Sequence, residues 1–276
     1  MAIAPTPIVP AGACDTHIHV YDPRFALAPT AASAAPLAAS VDDYRAVKAR
    51  LGLTRTVIVQ PSVYGTDNSC TLEGIAALGA DVTRGVAVVD DRVTDAELER
   101  LTACGMRGAR FLMMPGGAIP WAMLDSVAAK VQAIGWHVQF QTDGRTLPEH
   151  QAQIRSWSGR IVIDHNGKFL EPVDVDSEAF RTLLSLVDTG RVWVKLSAPY
   201  ETSKTGAPAY EDVSRLARAL VKHAPERMLW ATNWPHPGQN PRPDDAALLD
   251  ILADWAPDEA VRQRILVDNP AEVYGF

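Results

Sequence analysis

"CDTHIHVYD", residues 14–22, is a run of alternating character with two histidines two positions apart, His17 and His19. Alternation of this kind reads as a β-strand, whose side chains point to opposite faces with a period of two. On that period Asp15, His17 and His19 share one face, and in a closed barrel that face can be the interior. Their chemistry depends on what the rest of the chain sets opposite them.

Working outward, the same pattern recurs: a short apolar, β-branched run followed by a longer segment of helical period. Strands are predicted at 12–20, 55–62, 84–90, 106–113, 136–142, 160–165, 191–197 and 227–233. Helices are predicted at about 41–52, 68–80, 94–104, 121–134, 147–157, 176–189, 209–223 and 244–255, with a last one over 257–268. Asp95 and Glu99, Pro208 and Asp244 sit where helix starts are expected. Strands that alternate with helices make βα units and a parallel sheet. Eight such units in 276 residues predict an α/β fold, a (β/α)8 TIM barrel, as one domain over residues 1–276. No G-x-G-x-x-G follows the first strand, which removes support for a dinucleotide fold. The Ala/Pro-rich stretch 21–40 falls where such a barrel carries an active-site loop.

Composition narrows the partners. A net charge of −7 and a pI of about 5.5 argue against a general nucleic-acid or anionic-membrane binder, so an anionic ligand needs a locally basic pocket. Cys14, Cys70 and Cys104 are odd in number and form no C-x-x-C, which suits reduced thiols in a cytoplasm. The opening "MAIAPTPIVPAGA" has no basic segment followed by a long apolar run, and no stretch approaches the roughly 20 apolar residues that span a bilayer. The expectation is a cytoplasmic protein acting on a small molecule. Nothing in the sequence speaks to its oligomeric state.

Barrel chemistry sits at the C-terminal ends of the strands. Those ends carry His17 and His19 on strand one, then Gln60, Ser62 and Tyr64 after strand two. Strand four offers Arg107 and Arg110, and strand five His137, Gln139 and Gln141. Asp164, His165 and Lys168 end strand six, Lys195, Ser197, Tyr200 and Glu201 follow along strand seven, and Asn233 and His236 end strand eight. Any one of these residues can be an ordinary satisfied core group or a helix cap. A whole ring of polar groups converging on one barrel end is costly unless it serves a ligand. His17, His19 and His165 are the leading candidates. His137, early in its strand, reads as core at the barrel bottom, and His150 and His223 as surface residues on helices. For His236, after a proline, structural and site roles stand level. Arg107 is read as structural, whereas a buried Arg110 calls for an anion, from a partner carboxylate or from substrate.

These motifs resemble a known family. H-x-H on strand one, His165 on strand six and "TNWPH" (232–236) on strand eight resemble the amidohydrolase superfamily. Within it, "VIVQPSVYGTDN" (57–68), "GMRGARF" (105–111), "GWHV" (135–138), "VIDHNGK" (162–168) and "NPAEVYGF" (269–276) are similar to 2-pyrone-4,6-dicarboxylate lactonase. "GARFLMMPGGA" (108–118), "DHNGKF" (164–169), "YETS" (200–203) and "HAPERMLWATNWPH" (223–236) are similar to D-galactarolactone isomerase. The resemblance runs over nearly the whole chain and implies the same barrel, with chemistry on a lactone.

The departures bear on mechanism. Metal-dependent members add a histidine after strand five and an aspartate after strand eight that takes the proton of the attacking water. Here those places hold Gln141 and Asn233, and an amide takes up no proton near neutral pH. The resemblance to the lactonase branch implies that no metal is required. A single divalent ion such as Zn2+, if present, is expected on His17, His19 and His165. Where more arginines are expected on the substrate carboxylates, this chain has Gly116 and Gly117, which disfavours a dicarboxylated pyrone.

The expected activity is a lactonase-type hydrolase acting on a small acidic lactone, of sugar-acid or muconolactone type. His17, His19, His165 and Asn233 are the catalytic candidates. Gln60, Ser62, Tyr64, Arg110, Gln141, Lys168, Tyr200 and His236 are the substrate-binding ones. Lactone isomerisation, with a hydroxyl of the substrate attacking in place of water, is the alternative. A barrel that binds sugar acids without turnover is the third.

Overall fold

In the computed structural model, residues 9–32 and 39–276 are described. Parts of the opening segment and of the 21–40 stretch lie outside them. Eight parallel strands make one sheet in sequence order: β1 (Cys14–Ile18), β2 (Arg55–Val59), β3 (Thr83–Ala87), β4 (Met106–Leu112), β5 (His137–Gln141), β6 (Ile161–Ile163), β7 (Val192–Leu196) and β8 (Met228–Trp230). Just past β8 the chain returns to β1. Asn233 N–H donates to His17 O (3.0 Å) and His19 N–H donates to Trp234 O (2.8 Å), which brings the sheet round into a (β/α)8 TIM barrel.

The connecting helices are α1 (Val41–Leu51), α2 (Ser69–Leu78), α3 (Asp95–Ala103), α4 (Leu124–Ala133), α5 (Leu147–Ser156), α6 (Glu178–Val187), α7 (Glu211–His223) and α8 (Asp245–Trp255). Their starts have local causes. Ser40 and Asp43 form a reciprocal capping box on α1, and Asp244 accepts from the Ala246 and Ala247 amides to open α8. Their apolar faces pack on the outside of the barrel: Phe180, Leu183 and Leu186 of α6 and Leu216 and Leu220 of α7 are fully buried. Burial on that scale contributes roughly 1.5–3 kcal/mol per side chain. None of the described helices is long and apolar enough to cross a membrane. Cys14 and Cys70 are buried, Cys104 is exposed, and all are free thiols.

The C-terminal segment departs from the predicted 257–268 helix. After α9 (Glu259–Gln263), a π-helical turn (Arg264–Asp268) runs into α10 (Asn269–Tyr274). Pro270 sits in the first turn of α10, where no amide is missed. Asn269 anchors the turn by donating to Pro225 O and Met228 O. This extension puts Tyr274 under the barrel, against Cys14, Val57, Val162, Trp193 and Leu229, and so closes the floor.

The face assignment on β1 needs correction. Asp15 does not share a face with His17 and His19. The β1–β2 register slips between Asp15 and Ile18, so three steps along β1 match two along β2. This bulge reverses the alternation. Cys14 packs into the floor cluster, Asp15 meets Tyr44 of α1, and His17 again turns inward.

Candidate active site

Inside the barrel, above the apolar floor, lies a buried polar cluster. Lys195 of β7 is fully buried and donates to Gln139 Oε1 (2.7 Å) on β5, with its Nζ 3.5 Å from Asp164 Oδ1 just past β6. The other end of the Gln139 amide donates to Asp164 Oδ2 (3.1 Å). Lys195 Nζ also stands 3.2 Å from His17 Nδ1. Burial pulls the Lys195 ammonium down to about 8, with Asp164 opposing. Burial pushes the Asp164 carboxyl up, but Lys195, His165, Arg110 and Gln139 outweigh it and hold the group below its ordinary range.

These contacts set the tautomers. Val59 O can only accept, so His19 Nδ1 carries the proton in their 2.8 Å bond. Two groups face His17 Nδ1: Lys195 Nζ at 3.2 Å, which as an ammonium can only donate, and Asp164 Oδ1 at 3.4 Å, which makes no hydrogen bond. The closer donor makes Nδ1 the acceptor and puts the His17 proton on Nε2, which donates to His19 Nε2 at 3.2 Å. Burial lowers both imidazoles, His19 to about 3, so both are neutral near pH 7. His165 is buried and likewise held neutral, with Nδ1 2.8 Å from Ser197 Oγ. Its ring centroid is 4.9 Å from that of His17.

Arg110, from the inner face of β4, donates to Gln60 O (2.9 Å) and to Gln141 Oε1 (3.3 Å). Its Nε has no partner, and no carboxylate of the described residues pairs with it. Burial lowers its pKa, opposed by Asp164 and Tyr21 at longer range. Ser62, Leu112 and Gly117 line the narrow cleft beside it. A Cβ on Gly117 would come within 1.9 Å of Leu112 O, so this turn excludes any larger residue, arginine included.

On the opposite rim the turns after β6, β7 and β8 bring together Lys168, Glu201, Tyr200 and Asn233. Lys168 forms an ion pair with Glu201, and burial pulls its ammonium down to about 8. The Asn233 amide donates to Glu201 Oε1 (2.9 Å) and to Tyr200 Oη (3.0 Å). Tyr200 Oη is 2.8 Å from His236 Nδ1, and His236 Nε2 is 2.9 Å from Asp245 Oδ1. The buried Tyr200 phenol is pushed above its ordinary range. His165, Asn166, Lys168, Ala198, Asn233 and His236 all have positive φ. In non-glycine residues each such conformation costs roughly 1–3 kcal/mol, and such strain gathers at functional sites.

The structure brings His17, His19, His165, Arg110, Gln141, Lys168, Tyr200 and Asn233 to the same barrel end. His236 stands behind Tyr200, fully buried. Two expected substrate contacts are otherwise engaged. Gln60 is on the outer face of β2, where its amide donates to Gly65 O and Asp67 O and accepts from Thr71. Tyr64 bonds the backbone of Asp22 through its hydroxyl. Both shape the loop after β2. His137 lies at the floor, edge-on to Tyr274, and Arg107 caps Thr102 O on the outside. His223 is exposed, and His150 stacks on Trp121.

Lys195, Asp164 and Gln139 lie at the centre of this cluster; the strand-end reading names them in the polar ring but not among the catalytic or substrate-binding candidates. Their signal was a lysine and a glutamine at inward positions of otherwise apolar strands. For a metal, the structure gathers His17, Asp164 and His165, one ligand atom each within 4.8 Å of the others. His19, expected as the third ligand, is not in this set. The Lys195 ammonium already stands against His17 Nδ1 and Asp164 Oδ1, where a dication would meet its charge. As arranged, the cluster suits an internal ammonium better than a divalent ion.

A TIM barrel with imidazoles, cations and carboxylates at its strand ends has the architecture of an amidohydrolase. Residues 14–276 match the amidohydrolase family, and the chain belongs to it. It is 38% identical to D-galactarolactone isomerase of Agrobacterium fabrum, over 98% of this chain and 94% of that protein. It is 36% identical to 2-pyrone-4,6-dicarboxylate hydrolase of Comamonas testosteroni, over 96% and 91%. Among solved structures it is similar to a probable 2-pyrone-4,6-dicarboxylic acid hydrolase of Acinetobacter baumannii with citric acid bound. There the TM-score is 0.85 at 26% identity, covering 96% of this chain and all of that one.

Proposed function

We propose that this chain is a lactonase that hydrolyses a small carboxylated lactone of sugar-acid or muconolactone type, in the cytoplasm. The observation that carries the reading is Arg110, a buried guanidinium held by two neutral acceptors, with one N–H unpaired and no carboxylate partner. Such a group is a ready receptor for a substrate carboxylate, with Gln141 fixing its plane and Ser62 beside it. Relatives named for a lactone hydrolase and a lactone isomerase support the ester ring, and citric acid in a similar structure supports a small acidic ligand.

With the carboxylate on Arg110, the ring carbonyl faces His165 and the rim residues. His17 and His19 act as a fixed neutral pair that shapes the pocket, and Lys168 and Tyr200 position hydroxyls. No metal is required in this reading; a divalent ion would have to displace Lys195 from His17 and Asp164.

Intramolecular isomerisation is the second reading. Asn233 favours it, since an amide at that place does not activate water, and so does the isomerase relative. The deciding experiment follows proton release in weak buffer on acidic sugar lactones and muconolactones, with and without chelator. Net acid release above the uncatalysed rate, unchanged by chelator, is expected. Spectral change by NMR without acid release makes the chain an isomerase, and loss with chelator overturns the metal-free reading. Binding without turnover of any lactone leaves a sugar-acid-binding barrel.

A further inference from the structure

The mouth of the barrel is rich in groups that resemble bases, yet apart from His165, whose Nδ1 meets Ser197 Oγ and which faces the ring carbonyl in the reading above, its imidazoles are engaged through both nitrogens. In the neutral tautomers, His19 Nε2 accepts from His17 while His19 Nδ1 donates to Val59 O, so no lone pair is left on that ring. His17 is engaged through both nitrogens in the same way. Among the nearby carboxylates, Asp15 accepts from the His17 amide, the Thr232 amide and hydroxyl, and Tyr44. Asp164 is enclosed by Gln139 and Lys195, and Asp245 is engaged with His236 behind Tyr200.

Glu201 differs. Its side chain keeps 16% of its surface exposed at the mouth, where Asp164 keeps none. Oε1 accepts from Asn233, whose amide is itself oriented by Tyr200, and Oε2 meets the Lys168 ammonium. The carboxylate is held from two sides by residues of the β6 and β8 turns, each in a left-handed conformation. Each carboxylate oxygen has a second lone pair for a further donor.

We propose that Glu201 is the general base of the reaction, with Asn233 and Lys168 as the residues that position it. This rests on the lactone reading above. The Glu201 carboxylate takes the proton of the attacking O–H, from water in hydrolysis or from a substrate hydroxyl in isomerisation. The oxygen forms its bond to the lactone carbonyl carbon, and the carbonyl π pair moves onto its oxygen. Collapse of that intermediate reforms C=O and breaks the ring C–O bond, and the departing alkoxide recovers the proton from Glu201. The carboxylate ends as it began.

The test compares Glu201→Gln with the wild type on the lactone that the acid-release panel identifies. Glutamine keeps the acceptor for Asn233 but takes no proton. The expected result is a fall in kcat of about 100-fold or more, with KM changed by less than about 3-fold. Adding Asn233→Asp to Glu201→Gln returns a carboxylate one hydrogen bond away and is expected to restore at least about 10-fold of that loss. If Glu201→Gln does not fold with Lys168 unpaired, Lys168→Met/Glu201→Gln removes both charges and should show the same kcat loss. Retention of kcat within about 3-fold overturns the assignment and leaves the lactone reading standing. A loss that appears in KM and is not rescued by Asn233→Asp also overturns it, making Glu201 a binding residue. A wild type inert on every lactone removes the functional reading, and this one with it.

Discussion

His137 and His17 lie inside the same barrel, one at the floor and one near the mouth. Both are buried, and in both burial drives the imidazole below its ordinary range. At the floor His137 packs edge-on against Tyr274, with centroids 5.1 Å apart, and neither ring nitrogen finds a hydrogen-bond partner. His17 has both nitrogens engaged, by Lys195 below and His19 above. Depth is common to the two; connection is not. A perturbed imidazole is therefore a poor sign of chemistry by itself, and a partnered one joined to cations and carboxylates is a better sign.

The comparison breaks most readily at Lys195. Replacing it with methionine leaves Asp164 buried without its nearest cation, with Arg110 acting only at longer range, and breaking a buried pair of that kind costs about 3–5 kcal/mol. Denaturant unfolding of Lys195→Met should show that loss, together with at least about a 100-fold drop in turnover. An unchanged unfolding midpoint would mean that the cluster is not a unit. The same pair of proteins gives a pH signature. The folded chain releases the Lys195 proton at about 8, against an ordinary 10.5 when unfolded. Between those values the unfolded chain binds more protons, so wild-type stability relative to the variant should rise as pH climbs from 8 to 10.5.

Arg110 gives a smaller effect confined to binding. Arg110→Lys removes the fork but keeps the charge, and should raise KM about 10–100-fold with kcat nearly unchanged. An uncharged lactone of the same ring size should not feel the change, and equal losses on both would place the substrate carboxylate elsewhere. The least effect is expected at the floor. His137→Phe exchanges a ring with two unsatisfied nitrogens for an apolar ring of similar shape, so stability should hold or rise. Turnover should stay within about 3-fold, measured beside a thermal melt. A large loss of kcat there would erase the distinction between floor and mouth.

Much of this could be read along the chain. Eight apolar runs alternating with helical period led to the barrel, because each βα unit must bury one face against the next. The strand-end rule then collected His17, His19, His165, Arg110 and Asn233. It failed where a side chain's direction depends on a neighbour. Gln60 and Tyr64 sit at strand-end positions yet serve the loop after β2, since the partners that claim them, Thr71 and the Asp22 backbone, come from other elements. Alternation alone puts Asp15 on the same face as His17; the bulge that separates them is a property of pairing, invisible in one strand's sequence.

What the sequence determined by itself is the periodicity, and with it the barrel, the mouth and the list of polar residues near it. Which of those residues are already bonded to one another was decided only by tertiary structure. Lys195 stands against His17 from 178 positions away in the chain, and Asn233 reaches Glu201 from 32. Periodicity is a local steric fact, repeated every few residues. A tautomer, a buried charge balance and a carboxylate's remaining lone pairs depend on groups from several strands meeting within about 3 Å at a buried site.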